Sequence, residues 1–307
     1  MMLTHSYSWE ATLADSLKVV WNVNDLIGAD KRLDFSRPFL PESLAGVRGL
    51  SSLSEREKLL LNQIRGNGYL FMFQITEEFV IPFMLDQVRK VTPGGDAHEV
   101  RAMLTFAEEE MKHIQLFQRF AEEFAAGFRT PCTVVGPIKD IANAILKHSD
   151  IGLTILALHL EWMTQLHYLD SIKDDQNLDL QFKNLLRNHW MEEAQHVKTD
   201  TLLLEKLVRE GGPQAVAQGF ADFAAIGGMV DGLLQQQVQF DLDALQAASG
   251  RKLGTSERQD VATAQLRAHR YAFLVSGLLQ KNFQATVEQL SPEAAASIRG
   301  MASALSA

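Results

Sequence analysis

The sequence predicts an all-α protein built around four long helices. Three observations carry this. Strand-like alternation of β-branched residues is nearly absent, four helical stretches are each bounded by capping or breaking residues, and Glu-x-x-His segments recur on the second and fourth stretches.

The elements follow in order. Residues 1–53 read as an N-terminal arm of short pieces, broken by Pro38, Pro41, Gly46 and Gly49. Ser54-Glu55-Arg56-Glu57 has the spacing of a capping box, so a first helix runs from there to about Lys90, ended by Thr92-Pro93-Gly94-Gly95. Asp96 and Glu99 repeat that spacing and open a second helix, which Gly127 closes as a C-terminal glycine. A connector over 127–137 contains Pro131, Gly136 and Pro137; fully extended, its eleven residues reach roughly 36 Å, most of a bundle's length. A third helix then runs from about Pro137 to Lys173. Asp174-Asp175-Gln176-Asn177 is a turn, and a fourth helix reaches Glu210 before Gly211-Gly212-Pro213. Beyond it, 211–307 holds additional helices, one capped by Ser256 and Gln259 and the last opened by Ser291-Pro292. The Gln235-Gln236-Gln237 run reads as a solvated face. Residues 1–307 thus form a single domain with its core in 54–210. Two hairpins joined by a long crossover between helices 2 and 3 is the ferritin-like four-helix topology.

Composition limits function. With 46 % apolar and 22 % charged residues, the 307-residue chain can bury a sizeable core. A net charge of −9 repels phosphate, and no Lys/Arg cluster offsets it, so no nucleic-acid partner is expected. Cys132 is the sole cysteine, which excludes an internal disulfide and a multi-thiolate metal site. The N-terminus lacks a basic-then-apolar signal pattern, and the greasy stretch Ile151–Leu160 is interrupted by Thr154 and His159. A cytoplasmic protein with no membrane partner is the expectation.

Of nine histidines, only His113 and His196 have a glutamate three residues earlier, Glu110 and Glu193. That spacing puts carboxylate and imidazole on one helical face. Two such segments on alternate helices, each in an apolar stripe, match the di-metal carboxylate pattern, which also needs one glutamate from each remaining helix. The third helix offers Glu161, the only acidic residue between Asp150 and Asp170. The first offers Glu77 and Glu78 in apolar surroundings, where an unpaired charge is costly. Glu161 to Glu193 is 32 positions, centred on Asn177; Glu78 to Glu110 is also 32, centred on Gly94. Residues equidistant from an antiparallel turn share a height, so the four carboxylates meet in one layer. The matching interval favours Glu78 over Glu77.

His189 lies four residues before Glu193 and seven before His196, on the same face, and makes a third imidazole available. Carboxylates with imidazoles suit iron or manganese. Glu109 and Glu192, each just before a Glu-x-x-His glutamate, are candidate acceptors for the free N–H of a ligating histidine, or else solvated helix charges. Tyr168, two turns after Glu161, is a candidate hydrogen-bond donor behind the metals or a core residue. Phe73, Phe106 and Phe117 are candidate cavity walls by spacing. His159, His167 and His269 fit no ligand spacing.

The set Glu78, Glu110-x-x-His113, Glu161, His189-x-x-x-Glu193-x-x-His196 resembles the p-aminobenzoate N-oxygenase family of non-haem di-iron oxygenases, over roughly residues 55–210. The resemblance implies a ferritin-like bundle, two iron ions per chain, the extra histidine as a ligand, O₂ activation, and oxidation of an aromatic amine. Glu110 and Glu193 are then the expected bridging carboxylates. Electrons must come from outside, from a reductase or ferredoxin, since the chain shows no flavin or iron–sulfur motif. Manganese in place of iron, carbon hydroxylation, and a ferritin-like metal binder or metal oxidase without an organic substrate stay open. A homodimer is expected from the apolar surface of the C-terminal helices.

Overall fold

A computed structural model describes residues 3–306. Three short helices, α1 (Trp9–Ser16), α2 (Val23–Leu26) and α3 (Glu42–Ala45), make up the N-terminal arm. The long α4 (Glu55–Val91) and α5 (Ala97–Phe128) form one antiparallel hairpin. After the crossover come α6 (Ile138–Ile145) and α7 (Asp150–His167), and a π-helical turn, Tyr168–Ile172, leads toward α8 (Leu180–Ser249). Then α9 (Thr255–Arg270), a second π-helical turn (Tyr271–Val275), α10 (Ser276–Leu278), α11 (Lys281–Leu290) and α12 (Pro292–Ser306) complete the chain. Among the described residues no β-strand occurs, only an isolated bridge between Gly28 and Lys31. The fold is all-α: α4 with α5 and α7 with the first part of α8 are the two hairpins, joined by the long crossover of the ferritin-like arrangement.

The capping box at Ser54 forms as its spacing requires: Ser54 Oγ accepts from the Glu57 N–H at 3.3 Å, and Glu57 Oε2 accepts from the Ser54 N–H at 2.8 Å. Asp96 caps α5 by accepting from the His98 N–H at 2.8 Å.

Three expectations about helix boundaries change. Gly127 does not terminate α5; it is helical, and a Cβ there would lie 2.1 Å from the Phe35 ring, so its role is to admit the arm. The left-handed residue that ends the helix is Arg129, at φ 64°. The third helix is two helices, because the Ser149 hydroxyl accepts from the Gly152 N–H at 3.3 Å and starts α7 afresh, while Asp222 holds the Ser149 N–H at 2.9 Å. The fourth helix breaks after Glu210, as the Gly211-Gly212-Pro213 segment predicts. It turns at Gly212 (φ 69°, ψ −173°), and Pro213, which needs no N–H partner in a first turn, opens a further stretch to Ser249. Gly254 rather than Ser256 precedes α9; its N–H donates to Glu257 Oε2 at 2.8 Å.

Gln237 is buried rather than solvated. It accepts from the Val135 N–H at 2.9 Å and donates to Thr133 O at 3.2 Å, which pins the crossover against α8. On the opposite side α1 lies across α5 and α8, with Asp15 accepting from Lys198 at 2.9 Å. The C-terminal helices pack over α7 and the outer part of α8. No described helix is long and apolar enough to cross a membrane.

Candidate metal centre

The four long helices each bring carboxylates or imidazoles to one buried layer. α4 contributes Glu77, α5 contributes Glu110 and His113, α7 contributes Glu161, and α8 contributes His189, Glu193 and His196. All seven are at most 5 % exposed. Their ligand atoms fall into two groups, Glu77, His113, His189 and Glu193 in one, and Glu110, Glu161, Glu193 and His196 in the other, each with all atoms within 4.8 Å of one another.

Glu193 belongs to both groups. Its Oε1 lies 2.5 Å from His189 Nε2 and 3.3 Å from His113 Nδ1, while Oε2 lies 2.7 Å from His196 Nδ1. Glu110 belongs to the second group, 3.1 Å from His196 Nδ1 through Oε1, with its Oε2 3.8 Å from His113 Nδ1 of the first. Glu77 Oε1 is 3.0 Å from His189 Nε2. Glu78 is not in this layer. It is half-buried on the neighbouring face, since adjacent residues differ by about 100° around a helix and only one can point inward. Turn-centred counting cannot separate two neighbours; the rotation of α4 on its partners does.

The histidines are held from behind. His113 Nε2 faces Glu192 Oε2 at 2.8 Å, and His196 Nε2 faces Glu109 Oε2 at 3.0 Å, so each backing carboxylate comes from the opposite helix. With Nε2–H donated outward, Nδ1 of both rings is left to face the cluster. Lys112 ion-pairs with Glu192. Trp21 of the arm stacks on His113 with centroids 6.0 Å apart, and Lys112 Nζ lies 4.2 Å over the Trp21 ring. Phe106 stacks on His196 at 3.7 Å; Phe73 and Phe117 both meet His189 edge-on at 5.3 Å. Tyr168 is elsewhere, stacked on Trp190 at 4.5 Å.

Protonation follows from this crowding. Burial, then the charge of Glu110, pushes Glu77 up to about 8. Burial and the Glu193 charge hold Glu161 well above the usual carboxylate range, and it donates its proton to Glu193. Glu193 is held well below that range although burial works the other way, because the charges of His189 and His196 outweigh it. Burial opposes charge on His113, His189 and His196 too, yet the surrounding glutamates raise all three.

The donor set fits two metal ions on two grounds. Glu77 Oε2, Glu110 Oε2 and His113 Nδ1 are buried in this layer without a hydrogen-bond partner, a costly state that a cation relieves. Four carboxylates also balance the charge of two divalent cations, and oxygen donors with imidazoles match iron and manganese.

Two neighbours escaped the sequence reading. Asp200 is fully buried one turn beyond His196, and neither of its oxygens has a partner; burial holds it well above the usual carboxylate range. Its spacing of seven from Glu193 and four from His196 was a usable signal. Trp21 gave none, because nothing local in the arm points to α5.

A helical bundle with a buried, two-lobed carboxylate–histidine centre is thus the class that fold and site define. No protein-family model and no curated protein matches the chain. Among solved structures it is similar to variants of an R2-like ligand-binding oxidase. One with an aerobically reconstituted Mn/Fe cofactor is 14 % identical with a TM-score of 0.44, covering 87 % of this chain and 94 % of that one. Another, with an aerobically reconstituted Fe/Fe cofactor, is 15 % identical with a TM-score of 0.44, covering 87 % and 93 %.

Proposed function

We propose that the chain is an O₂-activating oxidase whose resident metals are two iron ions and whose substrate is a small organic molecule, with N-oxygenation of an aryl amine as its specific reaction. One observation carries this most: His189 joins Glu77, His113 and Glu193 in one ligand group, giving the centre three imidazoles in all. That seventh ligand position is what the resemblance to the p-aminobenzoate N-oxygenase family rests on, with Glu77 taking the place assigned to Glu78.

Two iron ions, when bound, would supply the reductive activation of O₂ and the transfer of oxygen to the substrate. The protein's own groups do the rest. Glu77, His113 and His189 would hold one ion, Glu110, Glu161 and His196 the other, and Glu193 would serve both. Glu192 and Glu109 fix the His113 and His196 rings by accepting their Nε2 protons. Phe73, Phe106 and Phe117 keep water from the imidazoles. Asp200 holds a proton in reserve one turn from His196. An external reductase or ferredoxin supplies electrons, and the proposed assembly is a homodimer.

The test has two stages. Metal analysis of protein from iron-replete and manganese-replete medium should return two ions per chain, with iron supporting turnover. The reduced protein is then mixed with O₂ with and without aryl amines, and products are followed by mass. Amine-dependent O₂ consumption with hydroxylamino or nitro products supports the reading. Ferric protein formed once, with no product from any amine, would leave a ferritin-like metal binder.

A further inference from the structure

A cleft of about 740 Å³ opens between α4, α5 and the crossover, outside the metal centre. Its volume is in the range of small-molecule sites. Phe71, Phe117, Phe120 and Phe124 line it, with Leu70 and Ile138. The cleft runs along the two helices toward the metal layer. Its inner end is formed by Gln74, three residues before Glu77, and Phe117, four residues after His113. Each is one helical turn from a candidate ligand, roughly 5 Å of axial rise. Phe117 both lines the cleft and sits edge-on to the His189 ring, so a single side chain separates the two spaces.

Among the polar groups of this cleft, Gln74 and Arg129 stand at its two ends without a partner. Gln74 is 8 % exposed, yet its amide makes no hydrogen bond among the described residues. Its amide atoms are not sealed from water, so they are free to pair with a molecule that enters the cleft. At the outer end stands Arg129, exposed, with no anionic partner among the described residues. The other charges there cancel, because Glu122 is paired with Arg119 at 2.9 Å. Arg129 also occupies a left-handed conformation that glycine would fill without strain. Phe117 and Arg129 are twelve residues apart on α5, roughly 18 Å along the axis.

We propose that this cleft is the substrate site and that it takes an elongated molecule: a hydrogen-bonding head at Gln74, an apolar body along the phenylalanines, and an anionic tail at Arg129. A short aryl acid cannot touch both ends. The assignment of the head as the reacting group rests on the oxygenase reading. The binding site does not, since no metal takes part in holding the molecule.

The experiment therefore uses the metal-free full chain. Dansylaminoundecanoate carries an aryl amine at one end and a carboxylate at the other, and its fluorescence rises when the dansyl group leaves water. It is titrated alongside its methyl ester, with p-aminobenzoate as a short competitor. The acid is expected to bind about fivefold more tightly than the ester, as one exposed charge pair allows. Arg129→Gln should bring the acid down to the ester's affinity and leave the ester unchanged. Ala121→Trp, at an exposed position on the cleft wall, should abolish binding of both while far-ultraviolet circular dichroism and melting stay as in the parent. Equal affinity of acid and ester in the parent overturns the anionic tail. Displacement by p-aminobenzoate at matching concentrations overturns the elongated shape, and full binding to Ala121→Trp overturns the location. Each of these results leaves the O₂ experiment standing, and a failure of that experiment leaves the binding result standing.

Discussion

Filling the metal centre of the metal-free chain at pH 7 is expected to expel several protons. Five groups in the layer hold one near neutrality: Glu77, pushed up to about 8, Glu161, and the three histidines His113, His189 and His196, whose carboxylate neighbours raise them. A ligating imidazole must be neutral and a ligating carboxylate ionised, so all five protons must leave when both ions bind. Each proton released makes binding about tenfold weaker per unit fall in pH, about 1.4 kcal/mol. Five together amount to about 7 kcal/mol per pH unit for the pair of ions. The sign is fixed: affinity falls as pH falls, because protons compete for the same lone pairs. Anaerobic titration of Fe²⁺ or Mn²⁺ into the metal-free protein, in two buffers of different ionisation enthalpy, counts the protons from the difference in heat. About four to five supports the geometry described. Release of fewer than about two would falsify it, since it would mean the ions bind to groups already deprotonated, outside this layer.

Glu193→Gln is expected to reduce bound metal from two ions toward none, because Glu193 is the residue common to both ligand groups, whereas Glu78→Gln should leave metal content unchanged; elemental analysis of the purified variants decides. Burial depresses His159 to about 4, and burial together with the Arg65 charge depresses His269 to about 4. The unfolded chain then takes up protons first as pH falls, so the contribution of these residues is intact above about 6.5 and is lost progressively toward about 4, at about 3 kcal/mol for each. Urea unfolding of the metal-free protein across that window measures the loss. Gly277→Ala would place its methyl 2.4 Å from the His159 ring, and a cost of about 1–3 kcal/mol is expected in thermal or urea unfolding.

How much of this was written in the linear chain depends on the range of the interaction. Helical period alone put Glu110 with His113, and His189 with Glu193 and His196, because residues three, four and seven apart share a face whatever surrounds them. Local chemistry likewise set the capping box at Ser54 and the breaker at Pro213. Even the common height of the carboxylates followed from counting out from two turns. What period cannot give is the rotation of one helix about its axis relative to the next, which packing decides. That rotation turned Glu77 inward and left Glu78 on the adjoining face, and it matched Glu109 to His196 and Glu192 to His113 across α5 and α8. Contacts between segments far apart in sequence were equally out of reach. Phe35 closing on Gly127, Trp21 lying on His113, Gln237 gripping the crossover and Asp222 restarting the helix at Ser149 each join residues 73 to 102 positions apart. The ligand types were a property of the sequence; the one inward glutamate, and the aromatic and carboxylate groups that back the histidines, were decided by the packed bundle.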